Sequence, residues 1–195
     1  MSRPRKVSDE DVLAATYRAM SRLGPGELTL VEIAKEAGIT AGAIVQRFGS
    51  KRDLLLALAD GAAASTEDHL AALGGRYSAA LDALRAYADG FARMAASPAA
   101  FARSLAYLQI DLTDADFRKR LVRQARATRS GIERLLKRAV AGGELQRNTD
   151  TTRLTRTIEA VLAGSMMTWA FYRKGTAAQW LRTDLDAVLA PHVNA

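Results

Sequence analysis

The 195-residue sequence contains no cysteine. That absence excludes a disulfide framework, a thiolate metal site and a cysteine nucleophile. Only two histidines occur, His69 and His192, far apart and each without a second histidine at ligand spacing. There is no G-x-S-x-G turn and no glycine loop of the kind that cradles phosphate. Asp111, Asp114 and Asp116 cluster where a helix is expected to begin, and acids are favoured there by the helix dipole. No catalytic residue, metal or cofactor is therefore expected. Long apolar runs are missing too. The longest, AVLAGSMMTWAFY at 160–172, has thirteen residues, against the roughly 20 that cross a bilayer. The start, MSRPRKVSDED, carries no apolar secretory segment, so a cytoplasmic protein with no membrane partner is expected. Aromatics make up 6% and proline occurs four times. With alanine abundant, this composition favours helix over strand.

What is present is charge, in an unexpected place. The net charge is +7, which suits a polyanionic partner. Yet residues 1–60 hold nine Lys/Arg against eight Asp/Glu, and most of the excess lies beyond them. Residues 118–138 alone carry nine basic side chains and one acid, Glu133. That run reads either as a solvated helix face or as a surface for DNA flanks, acidic ligands or the neighbouring Asp111, Asp114 and Asp116. Net charge does not locate a nucleic-acid site; local geometry has to.

Periodicity predicts an all-α chain of about nine helices. Ser8 with Asp11, Thr29 with Glu32, and Ser50 with Asp53 read as three capping boxes, and Thr40 as a further N-cap. They delimit a first helix ending at Gly24-Pro25-Gly26, a second stopped by Gly38, a short third running to about Phe48, and a fourth beginning at Ser50. Longer helices are expected over about 51–72, 76–96, 99–110, 113–141, 150–174 and 176–190, with Gly74-Gly75 interrupting between the first two. In the fourth of these, Phe117, Leu121, Ala125, Ile132, Leu135 and Ala139 are expected on one inward face. The division predicted is a head, residues 1–52, and a helical body, residues 53–195.

The second and third helices have the makings of a helix-turn-helix. Gly38 stands where the chain must reverse, Ala34 and Ala37 permit close approach, and Ile33, Ile39, Ile44 and Phe48 supply apolar contact. A short helix supported in this way can present its outer face to a major groove. A plain helical hairpin inside an all-α domain has the same spacing.

The stretch TLVEIAKEAGIT (29–40), followed by Gly42, Phe48, Ser50, Lys51 and Leu54-Leu55, resembles the N-terminal domain of TetR-type transcriptional repressors over residues 8–56. The resemblance implies a homodimer, a three-helix helix-turn-helix DNA-binding head, and a C-terminal antiparallel helical bundle that binds a small effector. It also implies a sequence-specific regulator released from a near-palindromic double-stranded DNA operator. The alternative is a DNA-binding dimer without an effector, controlled by a protein partner or by abundance. Several positions depart from the family pattern. Ala41 and Ala43 replace the usual polar residues, Val45 the usual aromatic, Arg47 another often-aromatic position, and Gly49 the common proline.

The DNA contacts expected are Thr29, Thr40, Ala41, Gly42, Ala43, Val45, Gln46, Arg47 and Lys51, with Arg3 and Arg5 as an arm or, equally, a solvated tail. Arg47 suits a guanine or, alternatively, only phosphate, and Gln46 an adenine; Ala41, Ala43 or Val45 suit thymine methyls; Thr29 and Lys51 suit phosphate. In the body, Phe91, Met94, Phe101, Leu105, Leu108, Phe117, Met166 and Trp169 are candidate lining for a small hydrophobic or aromatic effector, with Arg103 and Tyr107 as polar anchors. Ordinary core packing explains the same residues. Residues 154–172 are apolar nearly all round, so one side is expected to meet a second subunit. Ala160, Gly164, Met167 and Phe171, with Trp180, Leu185 and Val188 of the last helix, are the candidate dimer face.

Overall fold

The computed structural model describes residues 7–93 and 97–194. Among them the chain forms nine α-helices and a closing 3₁₀ turn, Ala190–His192. The helices are α1 (Asp9–Arg22), α2 (Leu30–Ala37), α3 (Ala41–Phe48), α4 (Lys51–Arg76), α5 (Ala80–Arg93), α6 (Pro98–Thr113), α7 (Ala115–Ala141), α8 (Thr151–Tyr172) and α9 (Ala177–Leu189). Among the described residues no helix is long and apolar enough to cross a membrane.

Two compact units result. The first holds the described residues up to Ala62 together with Ala102–Leu121; the second holds Ala63–Phe101 and Val122 onward. In the first unit, Val12, Ala19, Leu28, Ile33, Ala34, Ile44 and Leu54 form one buried cluster. Each of α1–α4 contributes to it, so the short α2 and α3 are held by tertiary burial, which their length alone could not replace. The capping signals operate locally. Ser8 and Asp11 exchange both bonds of a capping box, and Thr29 Oγ1 accepts from the Glu32 N–H. At the start of α4 the Ser50 hydroxyl accepts from the Asp53 N–H and donates to the Asp53 carboxylate (2.6 Å).

The second unit is built on Leu70, Leu84, Ile132, Leu136, Ile158, Met166, Leu181 and Leu185, all within one buried cluster. Gly131 allows α7 to approach Leu70 closely: a Cβ there would stand 2.3 Å from Leu70 Cδ1. Helix ends here are satisfied from a distance. The Glu144 carboxylate accepts from the Ala80 and Leu81 N–H groups (2.6 and 3.1 Å), capping α5 from the far side of the sequence.

Three expectations about these helices are corrected. Gly74-Gly75 does not interrupt α4, which continues to Arg76. Arg138 of α7 explains this, because its guanidinium donates to the carbonyls of Gly74 and Tyr77 and so finishes the helix further on. The next helix begins at Ala80, where Glu144 caps it, and not at 76. Ala125 faces solvent while Ala127 is buried. Eight residues at about 100° each overshoot two turns by roughly 80°, so strict four-residue steps walk off the inward face.

Candidate nucleic-acid interface

The turn between α2 and α3 is made by Gly38, whose φ of 71° is left-handed and strained for any residue with a Cβ. Its N–H donates to Ala34 O, and Ile39 N–H to the same carbonyl (3.1 Å). Thr40 then caps α3 by accepting from the Ala43 N–H (3.1 Å). Of the eight residues of α3, Ile44 is buried in the head, and Ala41 and Phe48 pack partly against that cluster. Gly42, Val45, Gln46 and Arg47 are exposed, with Val45 at 45%. The short helix is thus supported from behind and free in front, the arrangement a groove-reading helix needs.

The predicted contact residues divide accordingly. Gly42, Val45 and Gln46 share the open side of α3, Arg47 stands at its edge with a side chain 26% exposed, and the exposed Thr40 stands at the start of the helix. Ala41 and Ala43 are half-buried. Thr29 is exposed and occupied as the α2 cap. Lys51 is half-buried, and its ammonium donates to Leu28 O (2.6 Å) and Pro25 O (3.3 Å), holding the loop between α1 and α2. Arg3 and Arg5 lie outside the described residues. Across the back of the head, Arg18 and Arg22 of α1 both pair with Glu36 of α2. The hydrogen bond from Arg18 is the main reason the Glu36 carboxyl is held below its ordinary value. These ion pairs border two hollows of about 280 and about 310 Å³, the first lined by Val7, Asp11, Ala14, Arg18, Glu36 and Ala37, the second by Arg22, Glu32, Lys35 and Glu36.

Residues remote in sequence complete the first unit. Tyr107 of α6 packs on the head cluster, and its hydroxyl donates to Leu23 O (2.9 Å). Burial pushes the Tyr107 hydroxyl up to about 12, with the nearby Glu27 charge adding to it. Arg103 reaches Ser21 O (3.5 Å). Arg52, in the first turn of α4, donates to both oxygens of Asp114 (3.0 and 2.9 Å) and to Asp116 (2.8 Å). That bond holds the Asp114 carboxyl below its ordinary value, while Asp114 also caps α7 by accepting from the Asp116 and Phe117 N–H groups. Arg120 pairs with Asp60 (2.8 Å). Sequence reasoning gave Asp114 a cap role or a partner in the basic run 118–138, and passed over Arg52. A partner 62 residues away leaves no local signal.

The ten candidate effector residues divide between the two units, Met94 apart. Arg103, Leu105, Tyr107, Leu108 and Phe117 fall in the first unit; Phe91, Phe101, Met166 and Trp169 fall in the second. Met94 lies outside the described residues. Tyr107 and Arg103, the proposed polar anchors, are engaged by backbone carbonyls of the head. Met166 and Trp169 are buried in the core, with Phe91 and Phe101 packed against it. No residue of α6 is fully buried.

The candidate dimer face is largely open. Ala160, Gly164 and Phe171 of α8 are exposed, Phe171 at 72%, and Met167, Trp180 and Val188 are half-buried. Tyr172 stacks on Trp180 with ring centroids 5.7 Å apart. Leu185 is corrected: it is 0% exposed, inside the core of its own chain. A stripe on α9 was expected to face outward, but its leucines are the ones that pack on α5 and α8.

The family model for bacterial regulatory proteins of the tetR family matches residues 12–58. That for the tetracyclin repressor-like C-terminal domain matches residues 80–185. The chain belongs to the TetR family. It is a transcriptional regulator with that family's DNA-binding fold, and its structural relatives are regulators, not enzymes. The reduced form of NemR from E. coli superposes with a TM-score of 0.75 at 17% identity, covering 95% of this chain and 97% of that one. SmeT, the repressor of the Stenotrophomonas maltophilia multidrug efflux pump SmeDEF, gives a TM-score of 0.67 at 21% identity, covering 97% and 92%. FadR from Bacillus subtilis in complex with stearoyl-CoA gives 0.69 at 16%, covering 94% and 98%. At these identities the TetR likeness concerns the fold. No curated protein matches the sequence.

Proposed function

We propose that this TetR-family regulator is a ligand-responsive repressor that binds a near-palindromic operator as a homodimer. The observation that carries the reading is α3, with Ile44 buried behind, Gly42, Val45 and Gln46 open in front and Arg47 at the edge. The open side and its edge offer one guanidinium for guanine, one amide for adenine, and Val45 for a thymine methyl. Thr29, Thr40 and Lys51 position the backbone, and Ala41 and Ala43 add apolar contact at the margin. A twofold dimer sets two such helices one DNA turn apart, roughly 34–36 Å, or a multiple of it. The exposed stripe Ala160, Gly164, Phe171 on α8, flanked by Met167, supports α8 and α9 as the pairing surface. Ala and Gly four residues apart let two helix backbones approach closely.

Effector binding works by preference for one state. A ligand releases the operator only if it binds the body better when the heads are wrongly spaced, and DNA then weakens ligand by the same factor. The half-buried apolar side chains of α6 leave surface for a hydrophobic ligand to cover. One structural relative holds stearoyl-CoA, so long-chain acyl thioesters are the first class to test. Complete packing of Met166 and Trp169 favours the second reading, a DNA-binding dimer with no small effector.

Two experiments decide between them. Selection from a randomised duplex library with the full-length protein should enrich an inverted repeat; enrichment of nothing would remove the DNA reading. Titration of the resulting complex with acyl-CoA thioesters and other flat or apolar compounds should release DNA. Failure of every class, with operator binding intact, leaves the effector-free dimer.

A further inference from the structure

We propose that Asp9 is the positioning residue for Arg47, and that this pair sets how sharply the head discriminates its operator from other DNA. The proposal rests on the DNA-binding reading and goes beyond it. Arg47 is the one charged side chain of α3. Its Nη1 lies 3.6 Å from Asp9 Oδ1, a charge pair between the recognition helix and the first residue of α1. Asp9 is not a loose partner. Ser8 and Asp11 exchange two bonds across it (2.9 and 3.1 Å), which fixes the first turn of α1 and with it the Asp9 backbone. Asp9 is 68% exposed and the Arg47 side chain 26%, so the pair stands at the edge of the open side of α3.

Two consequences follow from the chemistry. A separation of 3.6 Å is too long for a hydrogen bond, so Asp9 attracts Arg47 without using up its N–H groups. A guanidinium has five donors, and a carboxylate beside one edge leaves the other for the paired O6 and N7 of guanine. The arginine is thereby held near its working orientation before DNA arrives. The carboxylate also acts against DNA in general. A fixed negative charge beside the reading face repels phosphate, and only a sequence that gives Arg47 its bidentate contact offsets that repulsion. Specificity is a difference of affinities, and a repulsive element widens it.

The test uses the full-length protein and the duplex enriched from a randomised library. Affinity is measured at fixed salt for wild type, Asp9→Asn, Asp9→Glu, Arg47→Ala and the Asp9→Asn/Arg47→Ala double variant. The duplexes are the enriched sequence, each single base-pair change in it, and a scrambled control. Asp9→Asn is expected to bind scrambled DNA more tightly. It should also shrink the penalty at the base pair read by Arg47 by about tenfold, leaving other positions unchanged. Asp9→Glu should restore much of that penalty. In the Arg47→Ala background, Asp9→Asn should change nothing at that base pair. An unchanged penalty profile in Asp9→Asn overturns the proposal. So does an equal effect with and without Arg47, or a loss spread evenly over all base pairs. If wild type enriches no sequence, the DNA-binding reading falls and takes the proposal with it. Thermal melting of Asp9→Asn alongside wild type confirms that the head is folded in each measurement.

Discussion

Lys51 has two demands on one ammonium. The proposed DNA reading asks it to meet phosphate, while its bonds to Leu28 O and Pro25 O tie down the loop in front of α2. Lys51→Met keeps the stem and removes the donors. The loss of partners for two loop carbonyls is expected to cost about 1–3 kcal/mol, read as a lower denaturant midpoint at unchanged slope. If the ammonium also meets phosphate, the salt dependence of DNA binding becomes shallower by about 1. Stability and salt slope thus report the two roles separately. Gly42 divides them in the opposite sense. A Cβ there would meet only Thr40 Oγ1, at 3.9 Å. Gly42→Ala should therefore stabilise the head by about 0.5–1 kcal/mol in thermal melts, since α3 gains a better helix former. It should nevertheless weaken operator binding in gel-shift titrations if DNA approaches the backbone at that point.

Among the elements, the elbow where α6 meets α7 is clamped to α4 by Arg52. The Asp114 carboxyl is lowered in the folded state by that guanidinium, so the unfolded chain takes up protons first as pH falls. The clamp's contribution is therefore complete above the ordinary carboxylate value and is lost as pH drops through the folded one. Asp114→Asn keeps a good helix cap and removes the charge. The wild type is expected to lose more of its denaturant midpoint between about pH 5 and pH 3 than this variant does. An identical decline in both would show that the pair is solvated too well to matter. What could be read beforehand follows the range of each interaction. Caps at Ser8, Thr29 and Thr40 and the Gly38 turn depend on neighbours within four residues, and they were legible. The continuation of α4 past Gly74, the Glu144 cap of α5 and the Arg52 clamp depend on partners more than 60 residues away, and no local pattern encodes them. The open side of α3 was legible because Ile44 and Phe48 define its back. Whether an apolar residue lines a cavity or fills a core was not, since half-buried and buried apolar residues share one alphabet.

For the whole molecule, the decisive contrast lies between Phe171 and Leu185. Phe171 is exposed on α8, and Leu185 is buried within its own chain. Phe171→Glu should leave monomer stability within about 0.5 kcal/mol, as surface changes usually do. It should shift sedimentation toward the monomer and abolish cooperative occupation of an inverted repeat. Leu185→Ala should instead cost about 2–5 kcal/mol of unfolding free energy through the cavity it leaves. Should Phe171→Glu remain dimeric at micromolar concentration, the pairing surface lies elsewhere.

The first unit has a consequence for synthesis. Its reading helix is finished by residue 48, yet Tyr107, Asp114 and Arg120, which close the same unit, come from beyond residue 101. Domains commonly fold in order as they leave the ribosome. Here the helices up to residue 48 must wait until the chain has been made beyond residue 101 before their last supports emerge. A gene cut after codon 62 would yield a head with those supports missing, however complete its helix-turn-helix.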